Sequence, residues 1–217
     1  MLINRLIVAA LVVVVGIFAT GYALGAEIEV KKRMTVDEHY ILYYGQTKEG
    51  DADKLSAVLA EAQLMPTFNG MVALAGPGGS AQEAVLLAEV ISENSLGTVA
   101  VGECYSACSL AWMAGGMDNR FIFEEGVVGF HFAYSQDAEW FNNHKELSGW
   151  IGIQDHIAQS SHFYTAQLLR WDVVDPAQFV YNLSIEGSAG SFFAITKDDA
   201  RLQEVVGGKV WNDQSEN

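Results

Sequence analysis

Twice in succession, a short apolar run meets a turn of small residues and then a segment of helical period. Residues 70–75 run into GlyProGlyGlySer (76–80), and 81–94 follow with Ala84, Leu87, Ala88 and Ile91 on one face. Residues 97–101 run into GlyGluCysTyrSerAlaCys (102–108), followed by a helical, small-residue stretch to about Gly115. Apolar runs of strand length alternating with helix-length segments require crossover connections, and those are right-handed. The order of elements therefore indicates an α/β chain with a largely parallel sheet.

The flanking sequence fits the same plan. Residues 39–44 are strand-like and end at Gly45. A helix is expected over 51–65, with Leu55, Val58, Leu59 and Ala62 inward and Pro66 closing it. Residues 120–123 and 127–132 resemble a strand pair split at 125–126. The stretch 136–171 is mostly helical in pattern and rich in aromatics, among them Trp140, Trp150 and Trp171. A short helix is expected over 176–183 and a strand over 191–196. Thr196 followed by Asp199 has capping-box spacing for a helix over 197–206, and 209–211 forms a last short strand. The domain reading is a signal or transmembrane segment at 1–26, a charged, aperiodic linker at 27–38, one domain over 39–212 and a polar tail at 213–217.

Composition narrows the function. The 217 residues carry 12 Lys and Arg against 27 Asp and Glu, a net charge of −15. No basic stripe is present to neutralise phosphates, so nucleic acid is excluded as a partner. Residues 6–25 are uncharged, long enough to cross a hydrocarbon core of ~30 Å, and preceded by Arg5. Leu24 spoils the small-x-small cleavage pattern, so the run reads as a retained membrane anchor rather than a cleaved signal. Lys31, Lys32 and Arg33 compete with Arg5 for orientation, and topology stays open. The expected location is membrane-anchored or exported, on the periplasmic side. Cys104 and Cys108 are the two cysteines. Their spacing fits either a disulfide or two small buried hydrophobes, and it lacks the further ligands of a zinc site. His39, His144, His156 and His162 show no metal-binding spacing, and no nucleotide motif is present; no metal or cofactor is expected.

Ser106 stands at the strand-to-helix junction, where a hydroxyl projects from a sharp turn beside backbone N–H groups. His131, in GlyPheHisPheAla at the end of an expected strand, is the leading base. Taken alone, a histidine there is more often structural. The GlyProGlyGly turn brings further N–H groups to the same end of the sheet.

Taken together, the GlyProGlyGly turn, the small-residue serine turn, an Ala- and Gly-rich helix and a strand bearing histidine resemble the ClpP/crotonase superfamily. The likeness is greatest to ClpP-type serine peptidases and their predicted periplasmic relatives, and it spans about residues 40–211. It implies a ββα-superhelix fold. It also implies Ser106 as nucleophile, His131 as base, and Gly78, Gly79 and Ala107 as oxyanion-binding backbone. A peptide or protein is the substrate it implies, and 136–171 is the handle that mediates homo-oligomer contacts. Such peptidases carry an aspartate on a late strand, and 188–196 contains no acid. Glu186 and Asp198 flank that stretch and are the candidates, with Asp155, Asp172, Asp175 and Asp199 also considered. A Ser–His dyad, or an inactive site, remains open. The resemblance to membrane-associated members of the superfamily implies a lysine base as the alternative, with Lys145 the candidate, although a solvated surface lysine is the commoner reading. The competing functions are a catalytically inactive interaction or scaffold protein of this fold, and a crotonase-type acyl-CoA enzyme.

Overall fold

The computed structural model describes residues 25–33, 37–131, 172–187 and 191–211. The apolar run at 6–25, the tail at 213–217 and the 136–171 stretch with Lys145 and Asp155 lie outside them, Gly25 apart. Among the described residues, no helix is long and apolar enough to cross a membrane.

Among the described residues eight strands form one mixed sheet: β1 (Glu27–Lys32), β2 (His39–Thr47), β3 (Phe68–Gly79), β4 (Gly97–Tyr105), β5 (Arg120–Ile122), β6 (Val127–Phe130), β7 (Phe193–Thr196) and β8 (Lys209–Val210). Among the described residues four α-helices intervene: α1 (Asp51–Ala62), α2 (Ala81–Glu93), α3 (Ala107–Met113) and α4 (Pro176–Glu186). The main path runs β1-β2-β3-β4-β5-β8, and a branch leaves β4 through β6 to β7. The β2–β3, β3–β4, β4–β5, β4–β6 and β5–β8 pairings are parallel, and only β1–β2 and β6–β7 are antiparallel. The expected largely parallel α/β sheet is thus observed.

The branch arises in β4. Its first half, Thr98–Ala100, pairs with β5, and its second half, Glu103–Tyr105, pairs with β6. Against β3 the register jumps from Leu74↔Ala100 to Gly76↔Cys104. The extra residues bulge out, and a bulge re-aims the strand beyond it. This corrects the expectation that 120–123 and 127–132 pair with each other: both instead use β4.

The core lies between the sheet and the helices. Ile41, Tyr43, Val72, Leu74 and Ala100 point inward from the strands against Leu55, Leu59, Leu87, Ile91 and Trp112 from the helices, all of them buried. Ser80 caps α2 by accepting the Glu83 N–H at 3.2 Å. Glu83 does not close a capping box; its buried carboxylate reaches across to the Ala52 N–H at 2.7 Å and ties the starts of α1 and α2 together. The opposite sheet face carries Leu42, Met71, Val99, Val101, Phe123 and Trp211 around a cavity of about 360 Å³.

Three further expectations are corrected. The charged stretch at 27–38 is not a linker throughout, because Glu27–Lys32 is β1, antiparallel to β2. Ile28 and Val30 pack on the core while Glu29 and Lys31 pair outside, an alternation of period two among charges. The glycine run is not a separate turn: β3 continues through Gly79. Side chains at Gly76 or Gly79 would put a Cβ 2.1 Å from the Gly45 or Thr47 carbonyl oxygen of β2. Finally, 197–206 is not one capped helix. A turn leads to a single π-type helical turn over Leu202–Val206, because the Asp199 carboxylate binds Arg201 through Nε at 2.9 Å and Nη2 at 2.6 Å instead of starting a helix at Thr196.

Candidate active site

The end of β4 and the start of α3 meet at Ser106, whose φ of 57° and ψ of −118° are rare for a residue with a side chain. Such a conformation costs roughly 1–3 kcal/mol and persists only where neighbours over-determine it. Here they do. The Ser106 N–H donates to the Gly129 carbonyl of β6 at 2.8 Å, and the Ser106 carbonyl accepts the Ser109 hydroxyl at 2.6 Å and the Ser109 N–H at 3.0 Å. Cys104 and Cys108 are joined in a disulfide across the turn, with Cα atoms 5.1 Å apart, and both are buried.

His131 follows directly from β6. Because Tyr105 is in register with Gly129, the strand delivers the residue after Phe130 over the turn. The His131 Nε2 lies 2.6 Å from the Ser106 Oγ. The parallel β4–β6 pairing therefore converts a separation of 25 residues into a nucleophile–base contact distance.

Gly78 completes the near surroundings. It has φ +97°, and a Cβ there would fall 2.5 Å from the Ser106 Cβ and 3.0 Å from the Ala107 nitrogen. The absence of a side chain is what lets the β3 backbone approach the serine. Gly79 faces elsewhere, against the Thr47 backbone of β2. The structure thus brings Ser106, Ala107, His131 and Gly78 together and sets Gly79 one strand pairing away.

The carboxylates of Glu186, Asp198, Asp199 and Asp175 are engaged with cations or backbone. Glu186 pairs with Arg201 at 2.7 Å, and Asp198 with Lys197 at 2.9 Å. Asp175 caps α4 by accepting the Gln178 N–H at 2.9 Å; at Asp172 it is the backbone carbonyl, not the carboxylate, that accepts from Arg120 at 3.2 Å. Hydrogen bonding to Arg201 holds the Asp199 carboxyl below the ordinary aspartate range.

Two aromatic residues at the site went unread in the sequence. The Tyr105 ring stacks on Phe192 with centroids 4.7 Å apart. Phe192 in turn meets the His131 ring edge-on at 5.1 Å. The antiparallel pairing Phe130↔Phe193 makes Phe192 the next residue opposite His131. Gly129 leaves room for this stack, since a Cβ there would lie 2.5 Å from the Tyr105 ring. The signal was the aromatic pair at 192–193, whose partner strand could be known only after the sheet was.

No protein-family profile matches the chain, and no curated protein matches it in sequence. Among solved structures, a mutant of ClpP1 from Listeria monocytogenes superposes with a TM-score of 0.55 at 14% identity, over 80% of this chain and 92% of that one. The fold is ClpP-like. At that identity the likeness speaks for the arrangement of strands and helices alone, and the chemistry rests on the residues around Ser106.

Proposed function

We propose that the protein is a ClpP-like serine peptidase that cleaves peptide bonds by acyl transfer. The observation that carries this reading is the 2.6 Å approach of His131 Nε2 to the Ser106 Oγ, with Ser106 at positive φ on a strand-to-helix turn. His131 takes the Ser106 proton as Oγ attacks the carbonyl carbon, and the imidazolium then protonates the leaving amine. Water, deprotonated by the same imidazole, hydrolyses the acyl-serine and restores the hydroxyl. Negative charge on the tetrahedral oxygen is met by backbone N–H groups of Ala107 and of Gly78 or Gly79, each typically lowering the barrier by ~3–4 kcal/mol. Phe192 packs edge-on against the base, and the orienting acid of a full triad is assigned to none of Glu186, Asp198, Asp172 and Asp175.

The cell envelope is the proposed location, with the chain held by its 6–25 segment and facing the periplasm. A disulfide suits an oxidising compartment. Self-assembly through 136–171 belongs to the same proposal. The engagement of Glu186 and Asp198 with Arg201 and Lys197 favours one second reading, an inactive scaffold of the same fold.

A fluorophosphonate probe on the full chain separates the two. The peptidase reading expects labelling of the wild type that is lost in Ser106→Ala and strongly slowed in His131→Ala. Absence of labelling in the wild type, or its persistence in Ser106→Ala, leaves the scaffold reading.

A further inference from the structure

Ser106 sits at the middle of a covalent loop. Cys104 is fixed in the sheet, in register with Gly76 of β3 on one side and Val128 of β6 on the other. Cys108 is the second residue of α3. The disulfide between them clamps the end of the strand to the first turn of the helix, across the one residue between them whose φ is positive. Helix α3 has only seven residues, too few to hold its first turn by its own hydrogen bonds. Without the clamp, the Ser106 conformation is opposed by its own backbone preference and held only by the Gly129 and Ser109 hydrogen bonds and the burial of so short a helix.

We infer that the Cys104–Cys108 disulfide positions Ser106, so that the nucleophile is competent only while the bridge is closed: the site is redox-gated. The inference rests on the peptidase reading above. Opening the gate requires a dithiol reductant. Its thiolate attacks one cysteine sulfur and forms a mixed disulfide, and its second thiol then displaces the protein sulfur. Two electrons and two protons end on Cys104 and Cys108 as thiols, and the reductant leaves as a disulfide. A disulfide oxidant reverses the exchange. Both cysteines are shut off from solvent, 0% and 1% exposed. Reductant therefore reaches them only when the turn opens, and a folded, oxidised molecule keeps its competence. The cysteines are positioning residues and take no part in bond making at the substrate.

The test uses the full chain in four states: oxidised wild type, wild type unfolded and refolded in dithiothreitol, the same sample re-oxidised, and Cys104→Ala/Cys108→Ala. Each is read by its rate of fluorophosphonate labelling, its thermal melt, and hydrogen exchange of peptides covering 103–110. Reduction and the double substitution are expected to slow labelling about ten- to a hundredfold, as for an ~1 Å misplacement of a reacting group. Exchange at 103–110 rises in both while that of α2 stays unchanged. Re-oxidation restores the wild type and not the variant.

Labelling of the disulfide-free chain within about twofold of the oxidised wild type, or unchanged exchange at 103–110, overturns the inference and leaves the peptidase reading standing. An oxidised wild type that never labels removes the peptidase reading and this inference with it. Should the double variant not melt cooperatively, the reduction and re-oxidation of the wild type decides alone, and a loss that re-oxidation does not reverse counts against the gate.

Discussion

The approach of β3 to the nucleophile turn can be tested with one methyl group. In Gly78→Ala the new Cβ would stand 2.5 Å from the Ser106 Cβ, 2.8 Å from the Tyr105 carbonyl oxygen and 3.0 Å from the Ala107 nitrogen. Ordinary contact begins near 3.4 Å, so the closest neighbour is about 0.9 Å too near. None of the three is the free end of a flexible side chain, and relief therefore requires the backbone of β3 or of the 105–107 turn to move by roughly that distance. The φ of +97° adds a conformational cost of ~1–2 kcal/mol, and overpacking adds ~1–3 kcal/mol. The expected loss of stability is about 2–5 kcal/mol. A shift near 1 Å at the nucleophile and the Ala107 N–H is expected to slow fluorophosphonate labelling about a hundredfold in the molecules that remain folded. Gly70→Ala is the control. Gly70 shares a positive φ, +73°, but has nothing within 4 Å of the added carbon. It should lose only the conformational part, ~1 kcal/mol, and label at the wild-type rate. Labelling of Gly78→Ala at the wild-type rate would refute the close-approach argument. Equal slowing in Gly70→Ala would show that positive φ, not contact with Ser106, is responsible.

Substitutions at three other positions probe the surroundings. Trp112→Phe removes a fully buried indole whose Nε1 donates to the Phe121 carbonyl at 2.7 Å; urea unfolding should show a loss of about 2–3 kcal/mol, from the orphaned carbonyl and the lost volume. Phe192→Ala breaks the stack on Tyr105 and the edge contact with His131, and is expected to cost about 1–2 kcal/mol and to slow labelling several-fold, whereas Phe192→Tyr keeps both. Asp199 is depressed by its Arg201 hydrogen bond, so the unfolded chain binds the proton more readily; stability is present above the ordinary value of 3.8 and is lost as pH falls through the depressed one. In Arg201→Ala that contribution should vanish, so the thermal midpoints of wild type and variant differ most above 3.8 and draw together as pH falls through the depressed value; a difference that does not change with pH would count against the pairing.

How much of this was legible from sequence depended on how local the deciding interaction was. The strand–turn–helix repeats at 70–94 and 97–115 were readable because glycine, proline and helical period act within a few residues. Strand β1 was missed because its apolar positions, Ile28 and Val30, are only two and stand among charges that an edge strand can turn outward. The run Gly76–Gly79 was read as punctuation, yet its glycines serve contact with β2 and Ser106, which local sequence does not encode. Sharing of β4 between β5 and β6 follows from a bulge whose effect shows only once β3 is paired. The same limit governs the site. Ser106 and His131 could be linked by the order of motifs, and the β4–β6 register supplies the physical reason they meet. Glu186 and Asp198 were attractive because they flank the late strand. In space each faces a cation, Arg201 or Lys197, and nearness along the chain had stood in for nearness to the imidazole. What stands opposite His131 across the β6–β7 ladder is Phe192, an apolar ring. On that side the base is held by shape rather than by charge, and the response of labelling to Phe192→Ala measures how much that shape contributes.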